Sequence, residues 1–317
     1  MLKTVLAPYF SPYEKSLAKL EDSFNFLQME SPEIYHELKR TVLSGGKHLR
    51  PLTVFIASEL GQVSENEALI LAASAEMIHA ASLCHDDVLD GASIRRNIPT
   101  LNCELGNKMA ILSGDFLFSL ALKNLCQLKN LSVVETASAM IASLSKGEWT
   151  QENCRKTRHY PEGIVEQIAL HKTASLFSWA FMSPFLLAPH AKKEEINLAQ
   201  TVGQELGLAF QIVDDIIDFS KDSGKEPFID LKKGILNCVS WNYFFEKNLL
   251  ESFYKGEINT EDFCNYDYFA QALQKAREQA HEHIQQSAKA FKILNQDKNG
   301  HAQKVFTTIT TELLKKV

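Results

Sequence analysis

Apolar residues recur at three- and four-residue spacing along most of the 317-residue chain, and strict alternation of apolar and polar positions is hard to find. The first pattern is typical of amphipathic α-helices, and the second would be typical of strands. Turn-forming residues cluster at 44–47, 61–66 and 221–227, where helices should end. The clearest predicted helices span 51–60, 65–89, 108–128, 131–152, 162–187, 195–219 and 268–294.

Two stretches within these helices, 69–89 and 198–219, are apolar on almost every face. Helices of this kind are normally surrounded by other helices. No stretch resembles a linker, and 14 glycines plus 9 prolines give 23 of 317 residues, well under the roughly 12% of average usage. We therefore predict an all-α fold, with a single domain of long helices over 1–317.

Composition narrows the classes of function and compartment. With 33 Lys and Arg against 39 Asp and Glu, the net charge is −6, so no global basic field exists to bind nucleic acid. The longest apolar stretches, such as 69–84 and 176–189, contain polar residues and fall short of the roughly 20 residues of a transmembrane helix. The N-terminal residues lack the apolar region of a signal peptide. The six cysteines have neither disulfide-framework nor metal-finger spacing. We expect a cytoplasmic protein without a transmembrane segment.

The strongest chemical signal is an aspartate triad that ends an apolar helix and then recurs in a second helix. Each triad has the spacing i, i+1, i+4, which places the first and last carboxylates on one helical face, about 6 Å apart. Like charges beside apolar residues repel, so a cation should compensate them. Mg²⁺ prefers such oxygen ligands and leaves coordination positions to substrate phosphates. The predicted metal ligands are Asp86, Asp87, Asp90, Asp214, Asp215 and Asp218.

An anionic substrate also requires fixed cations and hydrogen-bond donors. Lys47 and Arg50 follow a Gly-Gly pair at a predicted helix start, where backbone amides and the helix dipole also favour phosphate. Lys172 and Thr173 lie within a largely apolar helix, where an ammonium group is costly unless it faces a polar cavity. The further candidates are His79, Arg95, Arg96 and Lys225.

From about Gly45 to the C-terminus, these motifs resemble the all-trans isoprenyl diphosphate synthases, also called polyprenyl synthetases. The resemblance implies long helices around a deep central cavity, normally in a homodimer. It also implies that both triads hold Mg²⁺, three ions in all, on an allylic diphosphate, while other residues hold isopentenyl diphosphate. The motifs are GGKHLRP at 45–51, HDDVLDGASIRR at 85–96, KTASLF at 172–177 and FQIVDDIIDF at 210–219.

The resemblance also carries roles for individual residues. It assigns Lys172 and Lys225 to catalysis, together with the aspartates. The residues that it places on the allylic diphosphate, beside the metal, are Arg95, Lys172, Gln211 and Lys225. Those that it places on isopentenyl diphosphate are Lys47, Arg50, His79 and Arg96.

Residues one or more turns before Asp86 should form the floor under a growing product. Ala81 and Ser82 are small, and Ile78 lies deeper on the same side, with about 5.4 Å between successive turns. An open floor favours a long product of about six to ten isoprene units. A short-chain farnesyl or geranylgeranyl diphosphate synthase is the alternative.

One segment departs from the family pattern. Ile235 stands where a basic residue is usual in this family, and Asn237, Cys238 and Val239 replace Thr-Leu-Pro. We therefore expect the loop that closes the site in this family to differ in this chain. Other classes stay open: a noncatalytic partner subunit, a head-to-head synthase, and a terpene cyclase, although the repeated aspartate triad disfavours the cyclase.

Overall fold

The computed structural model describes residues 13–24, 32–43, 48–95, 98–219, 228–263, 265–295 and 300–316, without the side chains of 41, 42 and 266. The chain divides into two compact units. Unit 1 comprises 1–141, 179–200 and 294–306, and unit 2 comprises 142–178, 201–293 and 307–317. The prediction of a single domain stays a prediction.

Helices dominate the described residues, and the all-α prediction is confirmed. Short π-helices span Lys39–Leu43 and Leu170–Ala174, and 3₁₀ turns span Thr260–Phe263 and Tyr266–Phe269. The α-helices are α1 (Glu14–Ser23), α2 (Pro32–Leu38), α3 (Leu49–Gly61), α4 (Glu65–Leu89), α5 (Leu101–Leu105), α6 (Asn107–Cys126), α7 (Leu131–Thr157), α8 (Ile164–Ala169), α9 (Ser175–Leu187), α10 (Lys193–Asp218), α11 (Ile229–Lys232), α12 (Cys238–Glu246), α13 (Leu250–Tyr254), α14 (Ala270–Leu294) and α15 (His301–Leu314).

The structure corrects two predictions of secondary structure. The helix expected over 162–187 begins later, at Ile164, and a π-helix separates α8 from α9. The sequence also predicts helices throughout the chain, but two-residue strands, β1 (Ile94–Arg95) and β2 (Ile98–Pro99), pair antiparallel after α4. Strands this short carry too little alternation to be recognised by period.

Both ends of α4 have specific caps. Ser64 accepts a hydrogen bond from the Glu67 amide, and the Glu67 side chain accepts one from the Ser64 amide, which forms a capping box. At the other end, Gly91 has a φ of +62°, which glycine adopts without strain. The Ala92 amide then bonds to the Asp87 carbonyl at 2.9 Å, as in a Schellman motif. The chain therefore turns sharply after the first triad.

Within unit 1, α4 packs most extensively against α6 and also against α3. Ala72, Ala75 and Ala81 on α4 are fully buried. Small side chains of this kind let neighbouring helices approach closely, since there is little side-chain bulk to accommodate. The first triad thus sits at the end of a tightly packed helix.

Within unit 2, two glycines of α10 permit close contact with the preceding helical segment. A Cβ on Gly203 would lie 2.3 Å from the Phe177 carbonyl oxygen, and one on Gly207 would lie 2.6 Å from Ala174 Cα. Both distances are shorter than real Cβ contacts allow. The segment that carries Lys172 is therefore held against the helix that carries the second triad.

Two described helices, α4 and α6, are long and apolar enough to cross a membrane by length and composition. The apolar window of α4 is 72% buried within the protein and that of α6 is 39% buried. A buried core helix passes the same length and composition test.

Candidate active site

The three aspartates of the first triad differ in exposure. Asp87 is buried at 2% exposure, Asp86 is half-buried, and Asp90 is exposed just beyond the end of α4. The Asp90 amide donates to the Asp86 carbonyl at 2.8 Å. Two carboxylates of this triad are therefore accessible, and the third lies inside the fold.

Arg95 holds the buried carboxylate. Its Nε and Nη2 atoms lie 2.9 and 2.8 Å from Asp87 Oδ1. Arg95 comes from β1, so the hairpin folds back onto the end of α4. Asn102 fixes this return, since its side chain donates to the backbone carbonyls of Asp87 and Ala92 at 3.2 and 3.1 Å. Sequence reasoning missed Asn102, because an asparagine after a short turn has no distinctive pattern.

In the second triad, Asp214 is exposed, whereas Asp215 and Asp218 are each 6% exposed. Asp215 Oδ1 accepts a hydrogen bond from Gln211 Nε2 at 2.8 Å, and its Oδ2 accepts one from the Cys238 amide at 3.0 Å. Burial nevertheless raises the pKa of Asp215 to about 8, with smaller contributions in the same direction from the charges of Asp230 and Asp214.

Gln211 links the second triad to the π-helix at Leu170–Ala174. Its Oε1 accepts a hydrogen bond from Thr173 Oγ1 while its amide donates to Asp215. A π turn shifts the direction of successive side chains, and such turns are frequent at functional sites. Three of the predicted residues, Thr173, Gln211 and Asp215, therefore form one hydrogen-bonded chain within unit 2.

Lys172, the residue before Thr173, forms an ion pair with Glu148 on α7. Its Nζ lies 2.6 Å from Glu148 Oε1, and about a quarter of each side chain is exposed. Gly147 makes this approach possible, because a Cβ there would lie only 2.8 Å from the Lys172 backbone nitrogen. The ammonium group in the apolar helix is thus compensated by a carboxylate, as its burial requires. The pairing of Lys172 with Glu148 could not be read from spacing, because the two residues lie on different helical segments.

Two residues predicted for isopentenyl diphosphate are described, both in unit 1. Arg50 is half-buried in the first turn of α3, and His79 is half-buried on α4. Beside them lies a pair that sequence reasoning missed: His48 Nδ1 is 3.2 Å from Glu76 Oε1, with both side chains almost fully buried. A glutamate within a mostly apolar helix was the available signal for this pair.

The predicted floor residues also lie on α4. Ala81 and Ile78 are fully buried, while Ser82 is half-buried and donates to the His79 carbonyl at 2.8 Å. Ser82 therefore has more space around it than its neighbour Ala81. Three predicted site residues, Lys47, Arg96 and Lys225, lie outside the described residues.

Both triads offer only carboxylate oxygens, which suits a hard cation such as Mg²⁺. Among the residues that the structure describes, no three His, Cys, Asp or Glu side chains converge closely enough to hold a metal ion by themselves. An ion that also takes ligands from a diphosphate needs only one or two carboxylates. The residues present therefore fit a metal that is shared with substrate.

Comparison with known proteins gives a consistent result. Residues 31–263 match the family model described as polyprenyl synthetase. Solanesyl-diphosphate synthase 1, mitochondrial, of Oryza sativa is 34% identical over 260 residues, which are 80% of this chain and only 59% of the rice protein. A prenyl transferase of Cyanophora paradoxa is 35% identical over 86% of this chain and 87% of its own length.

A decaprenyl diphosphate synthase from Rhodobacter capsulatus has a similar structure. Its TM-score is 0.88, with 25% sequence identity and coverage of 98% of this chain and 99% of that one.

Proposed function

This chain belongs to the polyprenyl synthetase family, and we propose that it condenses isopentenyl diphosphate with an allylic diphosphate, head to tail, to give a long trans-polyprenyl diphosphate. The observation that carries the proposal is the repeated aspartate triad at the ends of α4 and α10. Each triad has a buried carboxylate fixed by a donor, Asp87 by Arg95 and Asp215 by the Cys238 amide. In the second triad Asp218 is buried as well and accepts a hydrogen bond from the Ile229 amide. Each triad also has an exposed carboxylate that can reach a metal.

In the proposed reaction, the diphosphate leaves with the electron pair of the allylic C–O bond. When bound, Mg²⁺ would supply positive charge that compensates the charge of this leaving group. Asp86 and Asp90 of the first triad, and Asp214 and Asp215 of the second, would supply metal ligands, and Lys172 would stabilise the charge on the leaving group. The double bond of isopentenyl diphosphate attacks the allylic carbocation, a C–C bond forms, and a proton passes to the released diphosphate. Arg50 and His79 orient the isopentenyl group. Magnesium as the metal, and three as the number of ions, are part of this proposal.

A long product, of about six to ten isoprene units, is the finer proposal. It is supported by the small side chains of Ala81 and Ser82 on α4, each turn of which adds about 5.4 Å of depth. It is also supported by the long-chain names of the rice and Rhodobacter proteins.

We further propose a cytoplasmic homodimer. The support for a dimer is the outer side of α6, where Ile111 and Leu112 are 44% and 59% exposed. Exposed apolar groups of this kind favour protein contact. Analytical ultracentrifugation should give twice the chain mass, and Leu112→Glu should shift the protein toward monomer. A wild-type protein that sediments as a monomer contradicts the dimer.

The decisive experiment is incubation of purified protein with isopentenyl and farnesyl diphosphates and Mg²⁺, followed by sizing of the lipid products. We expect linear polyprenyl diphosphates. Asp86→Asn and Asp214→Asn should each lower kcat/KM by more than about 100-fold, since loss of a residue that only supports a metal ligand already costs about 10- to 100-fold. The matched control is Asp22→Asn, at an exposed position on α1, which should have wild-type activity.

Other products would overturn the proposal. Cyclic hydrocarbons would establish a terpene cyclase, and head-to-head products would establish a synthase of that class. Activity that requires a second, different chain would establish a noncatalytic or partner-dependent subunit.

A further inference from the structure

The segment that departs most from the family pattern forms the start of α12. Asn237 is the N-cap residue of this helix: its Oδ1 accepts the Ser240 amide at 3.1 Å, and Ser240 Oγ accepts the Asn237 amide at 2.9 Å. This reciprocal box pairs two amides that a helix start would otherwise leave without partners, and so it stabilises α12 at this position.

The first amide of α12 is directed at the second triad. Cys238 N–H donates to Asp215 Oδ2 at 3.0 Å, and the positive end of the helix dipole lies at the same place. Asp215 is almost fully buried, so water cannot readily replace this donor. The position of the Asp215 carboxylate therefore depends on where α12 begins.

Asn237 makes a further contact that other good N-cap residues cannot make. Its Nδ2 donates to Asp230 Oδ2 at 3.2 Å, and Asn237 itself is 6% exposed. Ser, Thr and Asp also cap helices well. Unlike these three, Asn has a side-chain amide that can donate to a carboxylate while its oxygen caps the helix. One buried side chain thus joins the start of α12 to Asp230.

We infer that Asn237 is a positioning residue for Asp215. By capping α12 and tethering Asp230, it holds the Cys238 amide on the Asp215 carboxylate and thereby sets the affinity of the second triad for a metal-bound diphosphate. The inference rests on the proposed function, because that function places Asp215 among the metal ligands. It gives this chain's unusual 237–239 segment a specific task in that site.

The test measures binding rather than turnover. The full chain is titrated with Mg²⁺ in the presence of inorganic pyrophosphate, and the apparent Mg²⁺ affinity is obtained by calorimetry. Asn237→Ala should weaken this affinity by about 10-fold, as for other residues that orient metal ligands. Asn237→Ser keeps the cap and loses the tether to Asp230, so its affinity should be intermediate.

Ser64→Ala is the matched control, because it removes the capping box at the start of α4, far along the sequence from either triad. It should reduce thermal stability about as much as Asn237→Ala and leave the Mg²⁺ affinity unchanged. Equal losses of affinity in the two alanine variants would overturn the inference, as would wild-type affinity in Asn237→Ser and Asn237→Ala. Should Asn237→Ala not fold, the comparison of Asn237→Ser with Ser64→Ala decides.

Hydrogen exchange at the Cys238 amide separates this inference from the proposed function. Asp215→Ala and Asn237→Ala should both speed exchange of that amide, whether or not the protein makes a product. An active enzyme whose Cys238 amide does not respond overturns the positioning role alone. A wild-type protein that makes no polyprenyl product, but whose amide responds, overturns the proposed function alone.

Discussion

The buried side chain of Asp215 accepts a hydrogen bond from the backbone amide of Cys238, at 3.0 Å, on one of its two carboxylate oxygens. The amide and the Gln211 side chain favour the charged form, but burial outweighs both and raises the pKa of Asp215 to about 8. Without metal, this carboxyl group is therefore mostly protonated at neutral pH in the folded protein.

This pKa predicts a pH-dependent stability for the metal-free protein. The unfolded chain releases the Asp215 proton above a pKa of 3.8, whereas the folded chain retains it up to about pH 8. Since the folded state binds more protons between these values, its stability falls as pH rises through this window. Asp215→Asn cannot release a proton, so the melting temperature of the wild type, relative to this variant, should fall from pH 4 to pH 8.

Asp22→Asn is the control for this experiment, because Asp22 is exposed on α1. Its melting temperature should follow that of the wild type throughout. If the wild type and Asp215→Asn have parallel melting profiles from pH 4 to pH 8, the pKa of Asp215 is not raised in the folded protein.

Periodicity predicts much of the fold, and its errors have physical causes. The bounds predicted for α4 match Glu65–Leu89, because a serine cap precedes the apolar pattern and a glycine follows it. The π-helix at Leu170–Ala174 was not predicted, since a single π turn keeps nearly helical spacing. The short helices between 229 and 254 were also missed, because segments of four to nine residues contain too few turns to establish a period.

The sequence indicates a candidate site where side chains carry the chemistry. Aspartates that interrupt apolar helices stand out because isolated charges there are costly. The donor to Asp215 is a backbone amide, which no residue type identifies, so the role of Cys238 could not be predicted. The pair of His48 and Glu76 likewise joins separate parts of the sequence, and only the fold brings the two side chains together.

The Arg95–Asp87 pair should stabilise the fold as well as the site. Arg95→Gln leaves the buried Asp87 carboxylate without its cation, which should lower the free energy of unfolding by about 2 to 3 kcal/mol. This value lies at or below the lower end of the range for buried pairs, because the Arg95 side chain is partly exposed. Urea denaturation measures this change. Arg155→Gln breaks a surface pair with Glu152, in which both side chains are over 40% exposed, and should change stability by less than about 1 kcal/mol. Equal effects of the two substitutions would contradict a structural role for Arg95.

Gly147 should be intolerant of even one methyl group. In Gly147→Ala, the new Cβ would meet the Lys172 backbone nitrogen at 2.8 Å, so α7 and the π-helix must separate at a cost of about 1 to 3 kcal/mol. Because the displaced turn carries Lys172, kcat should fall as well.

Gly61→Ala is the matched control for Gly147→Ala. The nearest atom to its added Cβ lies at 3.4 Å, in ordinary van der Waals contact, and alanine favours a helix over glycine by about 0.5 to 1 kcal/mol. This variant should be as stable as the wild type or slightly more stable. Urea denaturation and steady-state kinetics on both variants test the prediction, which fails if Gly147→Ala retains wild-type stability and kcat.

Product length should respond to bulk at the floor positions of α4. Ala81→Phe fills the space one turn below the first triad and should shorten the product, but Ala81 is fully buried and overpacking costs about 1 to 3 kcal/mol. Ser82→Phe offers a second variant at a half-buried position, where the ring has more room. Chromatographic sizing of the products should show shorter chains in either variant, with the first condensation step still active.

Ala139→Phe is the control, because it makes the same type of change at an exposed position of α7, and it should leave chain length unaltered. Wild-type chain length in folded, active Ala81→Phe and Ser82→Phe enzymes would move the floor away from α4, because neither ring would then lie in the path of the growing chain.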